Sequence, residues 1–163
     1  GTTNGIGGVT WYQMYEGEKE YKNSTENAIL KNSATTSSMI WGSQWDQIMI
    51  WMREVRNEVN STNGKYYVTN AVGMGNYGNI SGVDDGYYDT LGPAETGCFK
   101  TKNIYDLAGN IHDMILEAYG TDLRVVRGGH FRYTNASFTR ASNRSATSPV
   151  GGGLGTGSRS TLY

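Results

Sequence analysis

The strongest helix signal in this chain is a run of apolar residues at helical spacing. Trp41, Trp45, Ile48, Met52, Val55 and Val59 step by four, three, four, three and four, one continuous apolar stripe along a helix. Ser43 with Asp46 three residues later predicts a capping-box start, Asp replacing the usual Glu or Gln, and Asn63-Gly64 turns the chain at the far end. The rest is divided by 23 glycines against only 2 prolines, with 12 tyrosines, which describes tight turns between short strands. Trp11, Tyr12 and Tyr15 place a strand in the Gly-rich segment 1–17, and Asn23-Ser24-Thr25 caps a short helix running to about Lys31. Lys65–Val72, Ile111–Glu117, Leu123–Arg127 and Ser158–Tyr163 read as strands; Gly73–Gly97 and Phe131–Gly157 read as loop. Few helices beside several short strands and extensive loops is an α+β domain.

The second feature is a break in residue choice at Leu123. From there to Tyr163 the chain has no Asp, Glu, Lys, Gln, Met, Trp, Ile or Cys. All 15 acidic residues precede it, and six arginines follow it: Arg124, Arg127, Arg132, Arg140, Arg144 and Arg159. Ser, Thr, Gly, Asn and Ala fill the remainder around a few aromatic side chains, the palette of a recognition surface. The net charge of −1 excludes a generally basic nucleic-acid binder. The arginines are interspersed rather than clustered, and stacking aromatics among them are few. At 163 residues the chain is one domain, 1–163, with 123–163 its compositionally distinct segment. A single cysteine, Cys98, excludes an internal disulfide and a multi-Cys zinc site. No apolar run approaches the roughly 20 residues a membrane span needs. The start, Gly-Thr-Thr-Asn-Gly, has neither Met nor signal peptide, so we expect the C-terminal part of a longer protein.

Two segments resemble the formylglycine-generating-enzyme type of domain. Asn103-Ile-Tyr-Asp-Leu-Ala-Gly-Asn-Ile111 followed by Arg124-Val-Val-Arg-Gly-Gly-His-Phe131 is similar to that family's paired signature. Trp45-Asp46 with Trp51 resembles its W-x-D-A helix, and Gly157-Ser-Arg159 its closing G-F-R. The resemblance covers roughly Trp41 to Tyr163, with its four pieces in order, and implies a C-type-lectin-like fold with few helices, short antiparallel strands and extensive loops. Gly109 and Asn110 suit a turn with positive φ, and Gly128-Gly129 a sharp bend out of a strand. Arg127 is expected to pair with Asp106 or to donate to loop carbonyls. Arg124, Arg127, Gly128, Gly129 and Arg159 belong to the frame. The departures bear on activity. His112-Asp113-Met114 stands where the family has W-E-W, and no cysteine follows the R-G-G element, where the catalytic members carry a pair. Oxidation of a substrate cysteine by that route needs those thiols, so no enzymatic activity is expected.

The C-terminal part is similar to the variable region of proteins diversified by diversity-generating retroelements. There, adenines of a template repeat are copied as random bases, typically in A-A-C codons. Such codons, varied at their first two bases, never encode Lys, Glu, Gln, Met or Trp. Residues 1–122 hold 27 of these five types; at that frequency about nine would be expected in the last 41 positions, and none occurs. The resemblance implies a non-enzymatic receptor domain facing the outside of a virion or microbial cell, with a protein or cell-surface ligand and no contact with nucleic acid or membrane. Its binding residues would be His130, Arg132, Tyr133, Asn135, Ser137, Phe138, Asn143, Ser145 and Thr147.

Other chemistries are weaker. His112 and His130 lack the partners of a zinc site. As neighbours on a strand, His112 and Asp113 should have one side chain in solvent. Asp84, Asp85 and Asp89 miss the EF-hand spacing, although related folds bind structural calcium and the resemblance leaves room for one such ion. The glycines of 151–157 lack the Lys-Ser/Thr ending of a phosphate loop. Ser137, Ser142 and Ser145 lack an acid-base partner for nucleophilic catalysis. Two alternatives remain: a formylglycine-generating-type oxidase or degenerate relative, and a carbohydrate-binding lectin of fixed specificity. No Glu-Pro-Asn or Gln-Pro-Asp loop is present to favour calcium-dependent sugar capture.

Overall fold

The centre of the fold is a four-stranded sheet whose strands all come from the second half of the chain. A computed structural model describes residues 9–23, 35–54, 100–101, 104–105, 107–130, 140–151 and 155–163. In chain order the elements are α1 (Trp11–Glu20), a 3-10 turn (Tyr21–Asn23), β1 (Ser37–Met39), α2 (Gly42–Glu54), β2 (Lys100–Thr101) and β3 (Ile104–Tyr105). Then follow β4 (His112–Tyr119), β5 (Leu123–Arg127), β6 (Arg144–Thr147), β7 (Thr156–Ser158) and β8 (Ser160–Leu162). The sheet order is β6-β5-β4-β7, antiparallel except for the parallel β4–β7 pair. Two small antiparallel pairs, β1–β8 and β2–β3, accompany it. No helix among the described residues is long and apolar enough to cross a membrane.

Alternation along β4 and β5 divides the core in two. On one face Met114 and Val126 meet Trp11 and Met14 of α1 and Met39 of β1. On the other, Ile115 and Val125 meet Trp45, Met49 and Met52 of α2, with Leu107 and Ala141. Both faces are covered at the β4 start, so His112 and Asp113 are both buried, correcting the expectation that one meets solvent. The stripe on α2 holds for Trp45, Met52 and the partly buried Ile48, while Trp41 stands outside at 51% exposure.

Three further expectations are corrected. The N-terminal segment forms a helix, not a strand. Thr10 caps it and exchanges bonds with Gln13 in a full capping box, and Trp11, Met14 and Tyr15 fall on its inner side. Ser43 lies inside α2 rather than capping it: the Gln44 amide oxygen accepts from the Trp41 N–H at the helix entry. The span 131–157 is not all loop, because β6 and the start of β7 lie within it. The strands Ile111–Glu117, Leu123–Arg127 and Ser158–Tyr163 correspond to β4, β5 and the β7–β8 run. Gly109 and Asn110 take positive φ, 69° and 59°. The helix to Lys31 beyond Asn23, the end of the long helix past Glu54, the strand Lys65–Val72, the loop Gly73–Gly97, Cys98 and the Asp84, Asp85 and Asp89 cluster lie outside the described residues.

Candidate functional site

The C-terminal segment enters the sheet as β5, whose Val125 and Val126 are buried on opposite faces. Gly128 then bends the chain out at φ 72°; a Cβ there would stand 2.9 Å from the Leu107 carbonyl oxygen. His130 follows, half-buried, its ring centroid 5.3 Å from that of His112 at a tilt of 42°. Gly155 lies against the same ring, and a side chain there would overlap His130 Nε2. Burial pushes the His112 imidazole below its usual 6.5, opposed by hydrogen bonds with the backbone of Gly128 and Arg127.

Of the nine expected contact residues, Arg132, Tyr133, Asn135, Ser137 and Phe138 lie in 131–139, outside the described residues. The Arg140 carbonyl accepts from the Asn143 N–H at 2.9 Å. Asn143 is buried, with 8% of its surface exposed. On β6 the register sets Ser145 opposite Val126 and Thr147 opposite Arg124, which puts both on the α1 face of the sheet. Ser145 is exposed and Thr147 half-buried. These two are brought together; His130, packed by His112 and Gly155 at the β4–β7 side, is not beside them.

Four tail arginines are occupied within the fold. Arg127 pairs with Asp46 of α2; the expected partner Asp106 lies outside the described residues. Burial, with Arg144 alongside, lowers its guanidinium to about 10, still protonated at neutral pH. Arg159 Nε donates to Asp113 Oδ2 at 2.7 Å; burial pushes that carboxyl up while Arg159 draws it down. Arg144 pairs with Glu117 and lies 5.6 Å over the Tyr119 ring, and Arg124 lies 4.4 Å over Trp11. Trp45 joins the groups: its Nε1 donates to the Ala141 carbonyl at 3.0 Å, with Arg127 and Arg159 6.0 and 5.9 Å from its ring. The sequence reading missed the Arg144, Glu117 and Tyr119 cluster. Its one signal was the opposite charge of the two parts of the chain. Among the described residues no group of three or more His, Cys, Asp or Glu side chains could hold a metal ion.

No protein-family model and no curated protein matches this sequence. Among solved structures, the chain is similar to CarF, with a TM-score of 0.65 and 15% identity over 98% of this chain and 67% of that one. It is also similar to PvdO from Pseudomonas aeruginosa, with a TM-score of 0.62 and 14% identity over 99% of this chain and 62% of that one. The chain thus spans about two thirds of the length of each. At such identities the likeness concerns the fold alone, and with the two helices and the mixed sheet it gives the chain a lectin-like α+β fold.

Proposed function

We propose that this chain is a non-enzymatic ligand-display domain of the formylglycine-generating-enzyme type, its C-terminal segment a hypervariable surface written by a diversity-generating retroelement. The observation that carries the reading is the residue set of 123–163, which lacks all five residue types that varied A-A-C codons cannot encode. The occupied tail arginines support it from a second side. Arg124, Arg127, Arg144 and Arg159 fix the frame, while Ser145 is exposed. Tyr133, Phe138 and His130 would supply contact area at low entropy cost. Arg132 would give charge-assisted hydrogen bonds, with Asn135, Ser137, Ser145 and Thr147 the adaptable remainder. The ligand is a protein or cell-surface group met outside a virion or microbial cell, and recognition by these side chains needs no cofactor.

DNA around the 3′ end of the gene, read from many isolates, tests this. The expected result is a nearby repeat matching the codons of Leu123–Tyr163 except at adenines, beside a reverse transcriptase. A tail identical in all isolates with no such repeat overturns the reading and leaves a binder of fixed specificity.

A further inference from the structure

Arg124 differs from the other arginines that hold the tail. Arg127, Arg144 and Arg159 each face a carboxylate, whereas among the described residues no ion pair or hydrogen bond engages Arg124, and its Nε is buried without a partner. The acids of α1, the helix on this face of the sheet, are engaged elsewhere: Glu16 by Lys19, Glu18 by Ser158 and Ser160, Glu20 by Asn23. Arg124 is held by stacking instead. Its Cζ lies 4.4 Å over the Trp11 ring, which stacks on Tyr15 at 5.2 Å and meets the exposed Tyr12 edge-on at 5.4 Å. An indole engages the flat surface of a guanidinium and leaves the N–H groups, which lie in its plane, for an acceptor. On the neighbouring strand β6, Thr147 stands opposite Arg124, and the exposed Ser145 follows on the same face. Directly opposed residues of an antiparallel pair carry Cβ atoms about 4.5–5.5 Å apart, so the Thr147 hydroxyl can reach a group seated on Arg124.

From this juxtaposition we infer that Arg124 and Thr147 form a recognition point for a carboxylate, carried by an Asp or Glu side chain of a protein partner. A carboxylate accepts a fork of guanidinium N–H bonds and a further bond from a hydroxyl. One cation balances one negative charge, whereas a phosphate, with a charge of about −2, would keep an excess. Arg124 and Thr147 are half-buried and Tyr12 and Ser145 exposed. Such an open surface suits a side chain delivered by a larger body better than a free small acid, whose binding depends on burial in a pocket. An arginine beside tyrosine and tryptophan is also the composition of interface anchors. This assignment rests on the reading of the chain as a binder of protein ligands but not on variation of its tail, so sequencing of the gene's 3′ end and the titration below can fail separately.

The test is an NMR titration of the intact, isotope-labelled chain with N-acetyl-glutamic acid α-amide, a peptide-like unit bearing one carboxylate. Parallel titrations use its glutamine and phosphoserine counterparts and succinate. Saturable shifts of the Trp11 indole and of the Arg124 and Thr147 amides are expected with the glutamate unit at roughly millimolar concentration. The glutamine unit should produce none, and phosphoserine and succinate should bind no more tightly than glutamate. R124Q is expected to weaken binding about tenfold and T147V about threefold, with R124K, which keeps the charge but not the fork, between wild type and R124Q. Melting curves matching wild type show the variants folded; T147V, which removes only a hydroxyl, decides the matter if R124Q disturbs α1. Four results overturn the inference: no saturable shift, an equal response to the glutamine unit, tighter binding of phosphoserine or succinate, or an affinity that T147V and R124Q leave intact.

Discussion

His130 and Gly155 form the tightest single constraint in the described structure. A Cβ at 155 would enter the space the imidazole fills, so the His130 side chain must shift to admit one. Gly155→Ala is expected to destabilise the domain by about 1–3 kcal/mol in urea unfolding, the range of overpacking, and His130→Ala in the same chain to recover most of the loss. A double variant as unstable as Gly155→Ala alone contradicts that coupling. His112 adds a pH dependence of definite sign. Its folded pKa lies below its ordinary 6.5, so the neutral ring is favoured in the fold. The stability it contributes is present above 6.5 and is lost as pH falls from there through the folded value. His112→Gln should therefore show a shallower fall in stability than wild type on acidification below 6.5, measured by urea midpoints along a pH series. None of this could be read beforehand, because the two imidazoles meet only through pairing between β4 and the chain leading into β7.

Elements were legible to the extent that their own residues dictate them. β5 was readable because Leu123–Arg127 is rich in β-formers and closes on paired glycines, and α2 because its stripe repeats over several turns. β6 was not: Arg144-Ser-Ala-Thr147 is short and polar, and only its ladder with β5 makes it a strand. Helix α1 was misread because Trp11, Tyr12 and Tyr15 favour strands by propensity. Its true marker was the spacing of Thr10 and Gln13, a capping box whose Gln oxygen accepts from the Thr10 N–H at 2.9 Å. Thr10→Ala should lower stability by about 1 kcal/mol, read from a thermal or urea transition, and Thr10→Asp should restore most of it. Equal stability of the Ala variant would mean that packing of Trp11 and Met14, rather than the cap, holds this end of the helix.

At the scale of the molecule, the charge asymmetry between the two parts of the sequence becomes attachment. Arg127–Asp46, Arg144–Glu117 and Arg159–Asp113 each join a tail arginine to an acid from before Leu123. The final strands are equally embedded. β7 pairs with β4, β8 with β1, and the Thr36 and Tyr163 backbones exchange two hydrogen bonds of 2.8 and 3.1 Å. Removal of residues 156–163 should leave a chain without a cooperative unfolding transition and with collapsed amide dispersion in NMR spectra, whereas a trimmed but folded domain would show these strands to be accessory. This closure was partly visible in the predicted terminal strand; its partners were not, since Ser37–Met39 carries no strand signal of its own.

Trp45 holds the carbonyl of Ala141 through its indole, and the Trp11 main-chain N–H holds the carbonyl of Pro149 at 2.9 Å. Every amino acid carries that acceptor. The grip at these two points is therefore blind to residue identity: a codon change there leaves the hydrogen bond standing, and only bulk or backbone geometry limits what the position accepts. At Ala141 and Pro149 the scaffold thus constrains the main chain and leaves the choice of side chain to local space.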